Sequence, residues 1–193
     1  MTDPVHKKHK QDVADSFSES DRELFDPMAR EKLYDFLFMQ IKNLWRVDGL
    51  YFLGVEKRHG TAEATEVDTE CWQYMGRVEA QELKKFMGVE APCSPQEMLR
   101  LLRHTSWSLS HLVKSWQIHP DGSASFCVEH CRIQNIRLDK GLEPHPCRQV
   151  REPYLKAFVR ELNPAVELVC LSCPPKRTRP EVWCAWMFRQ AAK

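Results

Sequence analysis

Apolar residues in the first half of the chain recur every three or four positions. Leu33, Leu37, Ile41 and Leu44 fall on one face, which predicts a helix opening near Pro27 with Asp26 as its cap. The period resets at Asp48-Gly49. That predicts a second, short helix capped by Asp48, carrying Leu50, Leu53 and Val55 and stopping at Gly60. Thr61 then caps a long helix to Met87, with Ala64, Val67, Cys71, Met75, Val78 and Phe86 turned inward. Ser94-Pro95-Gln96-Glu97 is a capping box with proline at the first helical position, opening a helix that reaches His104.

The pattern then changes. Leu112 to His119 and Ala124 to Cys131 read as extended runs around the turn Pro120-Asp121-Gly122, hence a hairpin. Ile133 to Leu138 forms a short helix ending near Gly141. Pro153 opens another, with Tyr154, Leu155, Phe158, Val159 and Leu162 apolar, ended by Asn163-Pro164. Val166 to Leu171 and Val182 to Phe188 form a second strand pair joined by the basic, proline-rich loop Pro174 to Pro180. The expected class is α+β: N-terminal helices packed on a four-stranded antiparallel sheet with intervening helices. Residues 1–26 are polar and read as a disordered or loosely docked tail, and 27–193 as a single domain. Within it, 27–108 is mainly helical and 109–193 holds the sheet and the cysteine site.

Composition narrows the class of partner. A net charge of +1 supplies no field that draws the chain to nucleic acid or anionic lipid. No apolar run reaches the ~18 residues a membrane span needs. The opening MTDPVHKKHKQD has no apolar core of a secretory signal, so the expected compartment is cytoplasmic. The expected partner is a small-molecule ligand, with no nucleic acid and no membrane, and a homodimer left open.

Eight cysteines are many for a reducing compartment, where clustered thiols read as metal or redox sites. Cys147, Cys170, Cys173 and Cys184 form the set C-x22-C-x2-C-x10-C. Thiolates are soft donors suited to a tetrahedral ion, and Cys170 and Cys173 flank a strand end as a zinc knuckle does. Three readings stay open: a zinc site, an iron–sulfur cluster, or scattered core thiols. Cys131 is a further candidate ligand or reactive thiol. Cys127 reads as a buried structural thiol, and Cys71 and Cys93 as unrelated. A redox role for Cys170 and Cys173 is disfavoured, because reactive pairs sit at helix N-termini and this one precedes Pro174-Pro175.

The run Phe126 to Phe188 resembles the small-molecule-binding domain of the 4-vinyl reductase type. The shared order is a strand ending in Cys131, Pro146-Cys147 before a helix, a strand ending in a ligand, a cysteine, a hairpin, and Cys184 opening an aromatic-rich strand. Where zinc-bearing sensors of that type carry an acid, this chain has Cys170. The chain after residue 28 also resembles an uncharacterised bacterial family through Trp45 to Leu50, Pro146-Cys147, Glu152-Pro153-Tyr154, Cys170 to Pro175 and Val182 to Trp186. That family is similar to L-2-amino-thiazoline-4-carboxylic acid hydrolases. The resemblance implies helices over a four-stranded antiparallel sheet with a pocket between them.

Trp45, Arg46, Asp48, Trp72, His104, Trp107, His111 and Trp116 are candidates to line such a pocket, since aromatic walls with a few polar groups suit a small ligand. The same tryptophans also serve as ordinary core, and Asp48 as a helix cap. No phosphate-binding, dinucleotide or serine-hydrolase motif is present. The expected function is a small-molecule-binding or sensory-type domain with a structural cysteine-ligated metal, zinc first. A hydrolase of small heterocyclic or amide substrates, using Cys131 or an open metal, is the alternative, and an iron–sulfur protein the third reading.

Overall fold

In the computed structural model, the structure describes residues 19–111 and 113–191. The expected loose tail therefore lies outside the described residues for positions 1–18. Packing divides the chain into two units, Met1–Gln40 and Ile41–Lys193. In the first, α1 (Glu19–Glu23) buries no residue, and Phe25 packs on Phe36 with ring centroids 5.2 Å apart.

The second unit holds a four-stranded antiparallel sheet of order β1-β2-β4-β3, from β1 (Val113–Ile118), β2 (Ala124–His130), β3 (Val166–Ser172) and β4 (Cys184–Gln190). The α+β expectation holds, as do both strand pairs. The first hairpin turns as its sequence demands: Gly122 takes a positive φ of 80°, and the Asp121 carboxylate accepts the Ser123 N–H at 2.9 Å.

The long helices depart from the pattern. A single α2 (Arg30–His59) runs unbroken through Asp48-Gly49, so the reset there is no boundary and Asp48 caps nothing. Glycine lowers helix stability by only ~1 kcal/mol, and a 30-residue helix absorbs that. The period reset because the buried face of this helix is carried by Ile41, Trp45 and Phe52, while Leu33, Leu37, Leu44 and Leu50 are exposed. α3 (Thr61–Phe86) has the expected span, but Gly60, at φ 91°, is its N-cap, and Thr61 donates its hydroxyl to Glu56 instead. Its inward face is Ala64, Thr65, Trp72, Gly76, Glu79 and Ala80. Cys71, Met75 and Phe86 lie outward. α4 (Pro95–Leu102) opens on the expected capping box. The short α5 (Ser106–Ser110) and α6 (Arg132–Asp139) follow.

α7 (Cys147–Leu162) begins six residues earlier than expected, and Pro153 lies inside it. Proline there removes the N–H that would bond the Gln149 carbonyl. The Thr69 hydroxyl of α3, which donates to the Thr65 carbonyl at 2.6 Å, lies 3.4 Å from that carbonyl. α3 and α7 make the most extensive helix contact. Gly76 permits it, because a Cβ there would collide with the Tyr154 carbonyl.

Candidate functional site

Starting α7 at Cys147 places that residue at a helix N-terminus, where the dipole favours a thiolate. The Arg148 N–H, one of the free donors of the first turn, bonds the Pro174 carbonyl at 2.9 Å and ties the helix start to the turn after Cys173. Cys170 and Cys173 are separated by an odd number of positions, which in a regular strand would turn them to opposite faces. The β3–β4 ladder slips between Cys170 and Ser172, a bulge that restores a common side. Cys184 opens β4, opposite Val128.

The Cys173 thiol interacts with those of Cys147, Cys170 and Cys184. The four residues named from their spacing are thus brought together with Cys173 in the middle. That contact holds Cys173 protonated, raising it above the ordinary thiol range, and lowers Cys170. The Cys173 contact, with His145 and Arg151, also holds Cys147 well below the ordinary thiol range despite its burial. The thiols are grouped on Cys173 itself. Among the described residues, no three histidine, cysteine or acidic side chains are arranged to hold a metal ion. Cys131 is buried beside Cys147 and Cys184, and burial pushes its thiol up.

Cys147 also lines a cavity of about 250 Å³. Leu50, Phe52, Leu53, Ile133 and Ile136 supply its apolar wall, and Asp48, Asp68, His145, Cys147 and Arg151 its polar wall. His145 is fixed from several sides. The Gln134 amide accepts its N–H at 2.9 Å and donates to its carbonyl at 3.0 Å, and Phe52 packs on its ring at 4.7 Å. Arg137 of α6 bonds the Glu143 carbonyl and grips Glu56 of α2 through both terminal nitrogens at 2.9 Å. The imidazole Nε2 lies 3.5 Å from an Asp68 oxygen. Nδ1 has no hydrogen-bond partner among the described residues, and the Cys147 thiol interacts with the ring. Burial works to lower this imidazole, but Asp68 and Cys147 together outweigh it and raise it.

Arg151, one turn beyond Cys147, is 1% exposed. Its guanidinium lies 4.2 Å from the Trp72 ring centre, 5.1 Å from Trp45, 5.6 Å from Tyr154 and 5.7 Å from Trp107. Trp45 and Trp72 stack at 4.7 Å and 10°. Trp72 donates its indole N–H to Asp48 at 3.1 Å. Burial, then Asp68, raises the Asp48 carboxyl above its ordinary value.

Of the residues expected to line a pocket, Trp45, Arg46 and Asp48 do so. Trp72 and Trp107 stand behind them around Arg151. His104 is exposed, with Nδ1 2.8 Å from the Arg100 carbonyl, and Trp116 packs on Phe126 under Arg103. His111 is buried against Trp107. Asp68, His145 and Arg151 escaped the sequence reading. Their one local signal is the run His145-Pro146-Cys147 with an arginine a helical turn later.

Helices over a four-stranded antiparallel sheet, with a cavity backed by a buried thiol group, define an α+β domain with a candidate ligand site. The family described as "Family of unknown function (DUF6125)" matches residues 26–190, and the chain belongs to it. No curated protein and no solved structure matches the chain. Among the described residues no helix is long and apolar enough to cross a membrane.

Proposed function

We propose that this chain is a small-molecule-binding, sensory-type domain whose cavity is buttressed by a structural metal ion, zinc the best match, held by Cys147, Cys170, Cys173 and Cys184. One observation carries the reading: Cys147 belongs both to the thiol group around Cys173 and to the cavity wall. Four sulfurs form a closed, structural shell, which suits a brace more than a catalyst. Taking up the ion requires the thiols to lose their protons and turn from Cys173 toward a shared centre. The resemblance to the 4-vinyl reductase type of domain agrees with this use of the fold.

The expected result is one zinc per chain by elemental analysis of purified protein, and a lowered melting temperature for Cys173→Ser. Metal-free protein with an unchanged melting temperature in the variant overturns the proposal. A brown, iron-containing protein would point to an iron–sulfur cluster instead.

A second reading, a thiol hydrolase of small amide or heterocyclic substrates, is favoured by the row Asp68, His145, Cys147 along the cavity. It matches the resemblance to L-2-amino-thiazoline-4-carboxylic acid hydrolases. Cys147, on the cavity wall at a helix start beside a histidine oriented by an acid, has the setting of a nucleophile that Cys131, outside the cavity lining, lacks. Alkylation of Cys147 by iodoacetamide at pH 7, slowed by His145→Gln, is its signature. A thiolate bound to zinc resists the reagent.

A further inference from the structure

The cavity has a charge imbalance that its apolar wall does not explain. Its acids are engaged within the protein: Asp68 faces His145, and Asp48 accepts from Trp72 and, like the Cys147 thiol, feels the charge of Arg151. Glu56 behind the wall is taken up by Arg137. The cations exceed these partners. Arg46, Arg132, Lys140 and Arg151 also line the cavity, and Arg46 bonds the neutral Asn43 amide.

Arg151 is the sharpest case. It is 1% exposed, and its Nε and Nη1 have no hydrogen-bond partner among the described residues. Four aromatic rings stabilise its charge from their faces, but ring faces do not satisfy in-plane N–H donors. Leaving such donors unmet inside a protein is costly, and guanidinium forks match carboxylates in geometry. The volume, about 250 Å³, is below the ~300 Å³ at which pockets for drug-sized ligands begin. It suits a body of single-ring size against Leu50, Phe52, Leu53 and Ile133.

We propose that the occupant of this cavity is a small carboxylic acid with an apolar, ring-sized body, and that Arg151 receives its carboxylate. The inference rests on the cavity being a ligand site and adds the chemical class of the ligand. The stacked Trp45–Trp72 pair beside Arg151 makes occupancy visible in intrinsic fluorescence.

The test titrates the full chain with three matched pairs: benzoate and benzamide, phenylacetate and phenylacetamide, indole-3-acetate and indole-3-acetamide. Tryptophan fluorescence and calorimetry read the binding. At least one acid is expected to bind tenfold or more tightly than its amide, and Arg151→Gln to abolish that preference. The acid–amide comparison on the unaltered protein stands even where Arg151→Gln fails to fold. Amides that bind as well as acids overturn the carboxylate assignment and leave the ligand site standing. Failure of all six compounds at millimolar concentration sinks the site reading as well.

Discussion

His111 shows how burial sets the chemistry of a single residue. Among the described residues neither ring nitrogen has a hydrogen-bond partner, and the ring packs edge-on to Trp107 with 4% of its surface exposed. Burial, then the charges of Arg151 and Lys114, pushes the imidazole down from an ordinary 6.5 to about 3. Between those values the unfolded chain holds the proton and the folded chain does not. This contribution to stability is therefore intact above pH 6.5 and lost as pH falls toward 3, by up to ~1.4 kcal/mol per pH unit. Urea unfolding of His111→Phe should show a loss between pH 7 and pH 4.5 that is smaller than wild type by about 2–3 kcal/mol. Equal losses in the two proteins would show that the imidazole does not drive the acid sensitivity. Its sequence context, after Ser106 to Ser110, does not distinguish a buried ring from an exposed strand residue, because burial, the first cause of the shift, is set by tertiary packing.

The α3–α7 contact decides most at the scale of elements, since it sets where Cys147 and Arg151 stand. Gly76 lies where α7 crosses, and a methyl group there meets the Tyr154 backbone. Tyr154 cannot retreat freely. Its hydroxyl donates to Glu79 at 2.7 Å, and Glu79 also accepts the Ser106 N–H and hydroxyl at 3.0 Å. Gly76→Ala is expected to destabilise by about 1–3 kcal/mol despite alanine's better helix propensity. An unchanged or raised unfolding midpoint would mean that the helices separate without strain. The capping box at Ser94, the turn at Asp121-Gly122 and the stop at Gly141 were legible because each is complete within a few adjacent residues. The inward face of α3 was not legible. It is lined by Thr65, Gly76 and Glu79, and a search for apolar periodicity passes over small and polar residues that find their partners on other elements.

For the whole second unit, the Arg137–Glu56 pair joins two helices 81 positions apart and holds the segment that carries His145. Both side chains are largely buried, so removing one strands the other. Arg137→Met is expected to cost about 2–4 kcal/mol. It should also speed amide hydrogen exchange at residues 143–147, where the Glu143 carbonyl loses its donor. A variant with wild-type stability and exchange would make this pair a surface ornament. Glu56 is held below the ordinary carboxylate range by Arg137, so the pair's contribution is present above about pH 4.5 and fades below it.

The α+β class, both strand pairs, the Ser94 capping box and the Asp121-Gly122 turn were determined by the chain's local chemistry, since strand alternation, capping and turn geometry act over a handful of residues. The tertiary structure alone decided that α2 runs unbroken, that Pro153 sits inside α7, and that Asp48, Asp68, His145 and Arg151 share a cavity. Those outcomes depend on burial and on partners apart in the polymer: Gln134 for His145, and Trp45 and Trp72 for Arg151. No local pattern specifies which distant side chain satisfies a buried group. Packing chooses among them all at once.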